Sequence, residues 1–296
     1  MKKKIEQIFE SSFWEEVWGE AQELREVKKK KSSKSDSGRP WDKRAEHFNQ
    51  KTSGKDGSAR TESVIKFLEE EGAYFQGMKV VDIGCGPGSI TLRLAEKADH
   101  VYALDPSEKM LELLNQKIKE QGAKNITLLQ ERWQDVKLEE KDWHEAFDLS
   151  FSSMSPGVDG PQDMKKLLDS SKKFCYFSTF AGRRDKSRQE LWEQLLGEKF
   201  EERGLDIIYP FNFLYSWGYR PSLRFYSQRR RENIPPEEAV REILQYFHMA
   251  LEVDEKVEEA VRSYIEQRLQ QDGRFPYESE ASYGMMLWDK NVITSR

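Results

Sequence analysis

The sequence predicts a three-layer α/β domain, a mostly parallel sheet with helices packed on both faces. Three observations predict it. Short apolar runs recur at 79–83, 100–105, 126–130, 147–152 and 173–178. These runs are largely apolar rather than alternating, as suits strands buried on both faces. Helical patterns separate most of them, which is the order of βαβ units.

The elements can be justified in turn. Ile5, Ile8, Phe9, Phe13, Val17, Ala21 and Leu24 recur at three- and four-residue steps. That spacing predicts an amphipathic helix over 5–27, its apolar face widened by Trp14 and Trp18. Lys28 to Lys31 and the Ser-rich stretch to Gly38 read as a basic linker. Residues 1–38 therefore separate from a main domain over 39–296. Trp41 to Asn49 starts a helix, 51–58 reads as a loop, and Thr61 to Gly72 as a helix ended by glycine. The strand 79–83 runs into Gly84-Cys85-Gly86-Pro87-Gly88 and then a helix over 89–97. Ser107 caps a helix that Gly122 ends. Helices follow at 163–171 and 186–203. The aromatics of 207–219 (Tyr209, Phe211, Phe213, Tyr215, Trp217, Tyr219) fit a loop or strand, and 222–227 a strand. Pro235 and Pro236 open a helical insertion over about 235–272, longer than a hairpin needs and placed to form a lid. A closing strand spans 282–288.

Composition narrows the function. The chain has 296 residues, with 48 Lys and Arg against 53 Asp and Glu, a net charge of −5. That balance makes nucleic acid an unlikely main partner. No apolar run approaches 18 residues, so no membrane-spanning helix is expected. Glu6 and Glu10 interrupt what would be a signal peptide's apolar stretch. Two cysteines, Cys85 and Cys175, and four dispersed histidines form no disulfide framework and no metal-ligand pattern, so no metal is expected. The expected location is a reducing cytoplasm.

The strongest chemical signal is Asp82, then Gly84, Gly86 and Gly88, with Asp105 closing the next strand. A strand turning into a helix beside a ligand needs glycine's positive φ and missing Cβ. An acid ending the second strand can accept ribose hydroxyls. A dinucleotide fingerprint needs a glycine at position 89, where Ser89 stands. The pattern resembles instead the first motif of class I S-adenosylmethionine-dependent methyltransferases, and Asp105 to Met110 is similar to the second, over about residues 41–185. The resemblance implies a Rossmann-like sheet of seven strands whose last strand is antiparallel, with S-adenosylmethionine as cofactor and S-adenosylhomocysteine as product. It places Asp82 near the methionine ammonium and the three glycines beneath the methionine and ribose. It gives Asp105 the ribose, and sets Pro106 and Met110 near the adenine. The usual adenine acid falls near Arg132, so Trp133 or its backbone amide is the expected contact. Ser152, ending the fourth strand, joins the cofactor set.

Ser152 to Pro156 is not the Asn/Asp-Pro-Pro-Tyr/Phe tetrad of enzymes that methylate exocyclic or amide nitrogens. Arg183 and Arg184, beyond the fifth strand, suit an anionic substrate, and Tyr215 an aromatic wall. His47, Tyr215 and Tyr219 are candidate bases, and no catalytic residue is assigned. The expected activity is methyl transfer by direct displacement to a small-molecule, possibly anionic, acceptor. Two alternatives stay open. One is an RNA or protein methyltransferase using Lys28 to Lys31 and Arg229 to Arg231. The other is a non-catalytic S-adenosylmethionine-binding module. The N-terminal helix is read as a lid or as a homodimer contact.

Overall fold

The structure, a computed structural model, describes residues 6–32, 39–42, 44–200, 205–251 and 253–294. Helix α1 (Ser11–Ser32) is followed by α2 (Arg39–Asp42), α3 (Ala45–Ser53) and α4 (Lys55–Glu70). The alternating part comprises β1 (Lys79–Ile83), α5 (Thr91–Ala95), β2 (His100–Leu104), α6 (Glu108–Gln121), β3 (Ile126–Leu129), β4 (Phe147–Ser153), α7 (Pro161–Ser170) and β5 (Ser171–Asp185). Then come α8 (Lys186–Leu196), α9 (Ile208–Ser216), β6 (Ser222–Ile234), α10 (Pro236–Ala250), α11 (Glu255–Glu266) and β7 (Phe275–Asp289). The seven strands lie in the order β3-β2-β1-β4-β5-β7-β6. Strands β1 to β5 pair parallel, and β7 runs antiparallel between β5 and β6.

The pleat explains the continuous apolar runs. Successive side chains point to opposite faces, and here both faces are covered. Val80 packs with Leu68, Leu94 and Phe151 on one side, while Val81 and Ile83 pack with Trp133, Phe147 and Met164 on the other. Ser107 accepts from Met110 N, and Gly122 ends α6 at φ 68°, both as the sequence predicts.

Four regions depart from the sequence reading. Helix α1 begins at Ser11 and holds fully buried Trp18 edge-on to Phe213 of α9, ring centres 5.5 Å apart. Trp18 is thus covered within the chain, while Phe13, Trp14 and Val17 are partly buried and Ile8 and Phe9 exposed; the side chains of Lys28 to Lys31 lie outside the described residues. Residues 51–58 are almost wholly helical, broken at Gly54. Gly57 belongs there because a Cβ would overlap the Thr52 backbone. Residues 207–219, read as loop or strand, contain a helix instead. Aromatics at every second position imitate a strand, but α9 is apolar around most of its circumference, where periodicity loses its meaning.

The last departure is the largest. Strands β5, β6 and β7 run 15, 13 and 15 residues, well past their expected ends. The insertion 235–272 is two helices, the second capped by Asp254, whose carboxylate accepts from Val257 N at 3.0 Å. With α8 and the long strands they enclose a separate core around Trp192, Ile243, Phe247, Val261, Tyr264 and Phe275.

Candidate active site

A cavity of about 310 Å³ opens at the carboxyl ends of β1, β2 and β4. Sheets of this order bind ligands there. The loop after β1 forms its floor. Gly84 has φ +72°, and a Cβ on it would overlap the Ser155 hydroxyl. Gly88, at φ +81°, serves packing instead, since a Cβ would strike Leu114 of α6. Gly84 and Gly86 line the cavity, and Gly88 lies behind them.

Asp105 bridges two loops. Its carboxylate accepts from Gly86 N at 3.0 Å and from Ser107 N at 2.9 Å. Burial raises its pKa, opposed by those two hydrogen bonds. Each oxygen keeps a further lone pair for a ligand hydroxyl. Asp82 is 3% exposed and accepts from the Thr91 hydroxyl at 2.6 Å. Burial pushes its pKa up to about 7, the Thr91 bond opposing and Asp105 adding a smaller push. A cationic ligand group beside it would restore the ionised form. Burial, helped by Asp82 and Asp105, also raises Cys85 well above the usual thiol range, so it stays a thiol and gives no nucleophile.

The segment after β3 supplies another wall. Glu131, Arg132, Trp133 and Gln134 line it. Glu131 pairs with Lys141 at 2.8 Å. The Trp133 indole is 2% exposed and donates to the Asp163 carbonyl at 3.2 Å. Its ring is committed to the core, so its backbone is what it can offer a ligand. The end of β4 closes the site. Ser153, Met154, Ser155 and Gly157 line it, with Met154 at φ 55°. Non-glycine residues pay about 1–2 kcal/mol to sit there. Ser152 lies one residue earlier, fully buried, and does not reach the cavity.

The predicted cofactor residues therefore converge, with Asp82, Gly84, Gly86, Asp105, Pro106, Met110 and Trp133 all on the wall. The predicted substrate residues do not join them. Arg183 and Arg184 border a separate surface cavity of about 280 Å³ with Glu280 and Ser282. Tyr215 is 39% exposed on α9 and lies under the Arg220 guanidinium. His47 and Tyr219 are also off the wall, as are residues 235–272. Sequence reasoning missed Gln22 of α1, Phe48 and Thr52 of α3, and Arg60 of α4, which complete the enclosure. Among the described residues no group of His, Cys, Asp and Glu could hold a metal, and no helix is long and apolar enough to cross a membrane.

A nucleoside carrying a cationic amino-acid chain fits these residues. Asp105 offers spare lone pairs for a ribose, Gly84 and Gly86 keep the floor free of side chains, and Asp82 is a buried carboxyl with no cation beside it among the described residues.

Comparison with known proteins agrees. A family model described as a methyltransferase domain matches residues 75–194. An uncharacterised protein of Haemophilus influenzae is 30% identical over 188 residues, covering 62% of this chain and 65% of that one. A Methanocaldococcus jannaschii protein, named as the probable cobalt-precorrin-6B C(15)-methyltransferase (decarboxylating), is 28% identical over 90 residues, covering 30% and 43%. The chain thus spans less than two thirds of the length of either relative. A solved structure from Bacillus halodurans, provisionally assigned as a methyltransferase, shares the fold at a TM-score of 0.53 with 14% identity, over 77% of this chain and 99% of that one. The family match runs from before β1 into α8, across every strand that builds the cavity floor, so residues 75–194 carry a methyltransferase domain of the S-adenosylmethionine-dependent kind.

Proposed function

We propose that the protein transfers a methyl group from S-adenosylmethionine to a small-molecule acceptor. The observation that carries this reading is the cavity itself, where Asp105 and the side-chain-free glycine floor meet a closed wall from α1, α3 and β4. The cofactor supplies a methyl group already activated on a sulfonium. The chain's contribution is then position. Asp105 holds the ribose, Asp82 faces the ammonium, and the β4 end fixes the acceptor's line of approach. Holding two reactants in attack geometry lowers the barrier by about 7–11 kcal/mol in the best cases. Among the described residues the wall has no His, Lys or Tyr. Its Glu131 and Asp159 carboxylates are then the candidate bases for an acceptor that must lose a proton.

A small acceptor is favoured over a nucleic acid by the charges outside. Arg229 pairs with Glu280, Arg230 with Glu238 and Glu242, and Arg231 with Glu278. That run is neutralised in place and offers phosphate little.

Calorimetry with S-adenosylhomocysteine tests the reading. Charge-assisted hydrogen bonds contribute about 1.5–3 kcal/mol each, so Asp105→Ala should weaken binding about 100-fold. Turnover of labelled S-adenosylmethionine on a panel of small organic acids should follow. A folded wild-type protein that binds neither nucleoside ends the proposal.

A further inference from the structure

Arg60 is a charged residue on the cavity wall that the function above does not use. It stands in the second turn of α4, and its guanidinium lies 5.7 Å from the ring centre of Tyr283 on β7. Its Nε is buried and has no hydrogen-bond partner. Among the described residues no carboxylate comes within 4 Å of it. The other arginine on the wall, Arg132, sits at the β3 end near Asp135, 3.9 Å away. Beside Arg60 the sheet offers neutral donors. Ser153 lines the cavity and shares a hydrogen bond of 3.0 Å with Ser178. The Tyr176 hydroxyl lies next to both serines, fully buried and without a hydrogen bond of normal geometry. Phe48 and Phe151 supply apolar wall.

A half-buried guanidinium without a counter-ion, next to hydroxyl donors, is costly unless something anionic completes it. A planar guanidinium matches a carboxylate through two parallel hydrogen bonds. We propose that Arg60, with Ser153, forms a carboxylate-binding subsite at the end of the cavity opposite Asp105. The sheet order sets the separation. From β2, which Asp105 follows, to β4, which carries Ser153, is two strand steps, about 10 Å at 4.8 Å per step. The ribose end and the Ser153 end are therefore different places. The aromatic wall makes an aromatic acid the best-fitting acceptor. The subsite rests on the methyl-transfer reading for its ligand, since the carboxylate can come from the acceptor or from the cofactor's own amino-acid end.

The experiment separates these sources. Wild type, Arg60→Gln and Ser153→Ala are titrated with S-adenosylhomocysteine, with 5′-methylthioadenosine, which lacks the amino acid, and with benzoate in the presence of either nucleoside. Loss of S-adenosylhomocysteine affinity by tenfold or more in Arg60→Gln, with methylthioadenosine changed less than twofold, assigns the subsite to the cofactor's carboxylate. Unchanged nucleoside affinities with benzoate weakened tenfold or more assign it to the acceptor. Ser153→Ala should move the same titration in the same direction by threefold or more. It leaves the Arg60–Tyr283 contact intact, so a fall there is not a folding defect. If every affinity is unchanged in folded Arg60→Gln, the subsite is overturned. If the wild type binds neither nucleoside, the methyl-transfer reading fails, and benzoate titrated alone against wild type and Arg60→Gln still decides the subsite.

Discussion

The half of the sheet around β1, β2 and β4 and the extension built on β5, β6 and β7 treat charge in opposite ways. In the first half, strands are short and the binding loop works through its backbone. Its buried charges wait for partners. Asp82 and Asp105 have their pKa values raised by burial, and Arg60, which reaches across to Tyr283 at the border with the extension, has no carboxylate within 4 Å among the described residues. In the extension, buried charge is matched inside the protein. Arg188 pairs with Asp185 at 2.9 Å, Tyr277 donates to Asp185 at 3.1 Å, and Arg188 reaches the Glu242 carbonyl at 3.5 Å. Arg230 meets Glu232, Glu238 and Glu242. Unpaired charge marks where a ligand belongs, and paired charge marks where the fold alone needs holding.

The largest expected effect tests the second half of that contrast. Removing one partner of a buried pair costs about 3–5 kcal/mol. Asp185→Ala should lower unfolding free energy by that amount in a denaturant titration, because Arg188 and Tyr277 lose their common acceptor. S-adenosylhomocysteine affinity of the folded fraction should not change. A matching loss of affinity would mean that the extension helps shape the cavity, and the two regions could not be treated separately.

Asp82 tests the first half. Its folded-state pKa of about 7 lies above the ordinary carboxyl value of 3.8. The native state therefore holds a proton that the unfolded chain has lost between those two values. The stability this group contributes is fully present below pH 3.8 and is lost as pH rises through 7, at up to about 1.4 kcal/mol per pH unit. Asp82→Asn should flatten that part of the pH profile of the ligand-free protein. Saturation with S-adenosylhomocysteine should flatten it too, since an ammonium beside Asp82 favours the ionised form. A wild-type profile with no slope from pH 4 to 7 would show that Asp82 is already ionised.

These contrasts also explain what the sequence could and could not disclose. The spacing of Asp82, the glycines and Asp105 is local, within one βαβ unit, so the meeting of Asp82, Gly84, Gly86 and Asp105 at one cavity was legible from residues alone. The rest of the cavity wall is assembled from distant segments. Gln22, Phe48, Arg60 and Met154 meet only after α1, α3 and α4 fold back across the sheet, and no motif marks them. Arg183 and Arg184 looked apt because they follow β5. That strand runs on to Asp185 and carries both arginines to the second cavity. The helix α9 was hidden by its own apolarity, and the extension's core by strands whose polar, edge-like composition (Arg229 to Arg231, Glu278, Glu280) does not read as buried sheet.

Met154 gives the smallest effect and the sharpest local test. Its φ of 55° places a side-chain-bearing residue where glycine is at ease, while its N–H donates to the Ser178 carbonyl at 3.0 Å. The side chain is only partly buried and lies on the cavity wall, so it contributes little packing. Relief of about 1–2 kcal/mol of strain is offset by about 0.5–1 kcal/mol of added chain entropy in the unfolded state. Met154→Gly should therefore stabilise the protein by about 0.5–1 kcal/mol in urea, with S-adenosylhomocysteine affinity unchanged and benzoate affinity reduced. A stabilised variant would mean that the strain is kept because a side chain is needed at this point of the wall, one residue from Ser153. A destabilised one would mean that Met154 is held by packing, and the β4 end would then belong with the paired, fold-maintaining half of the molecule.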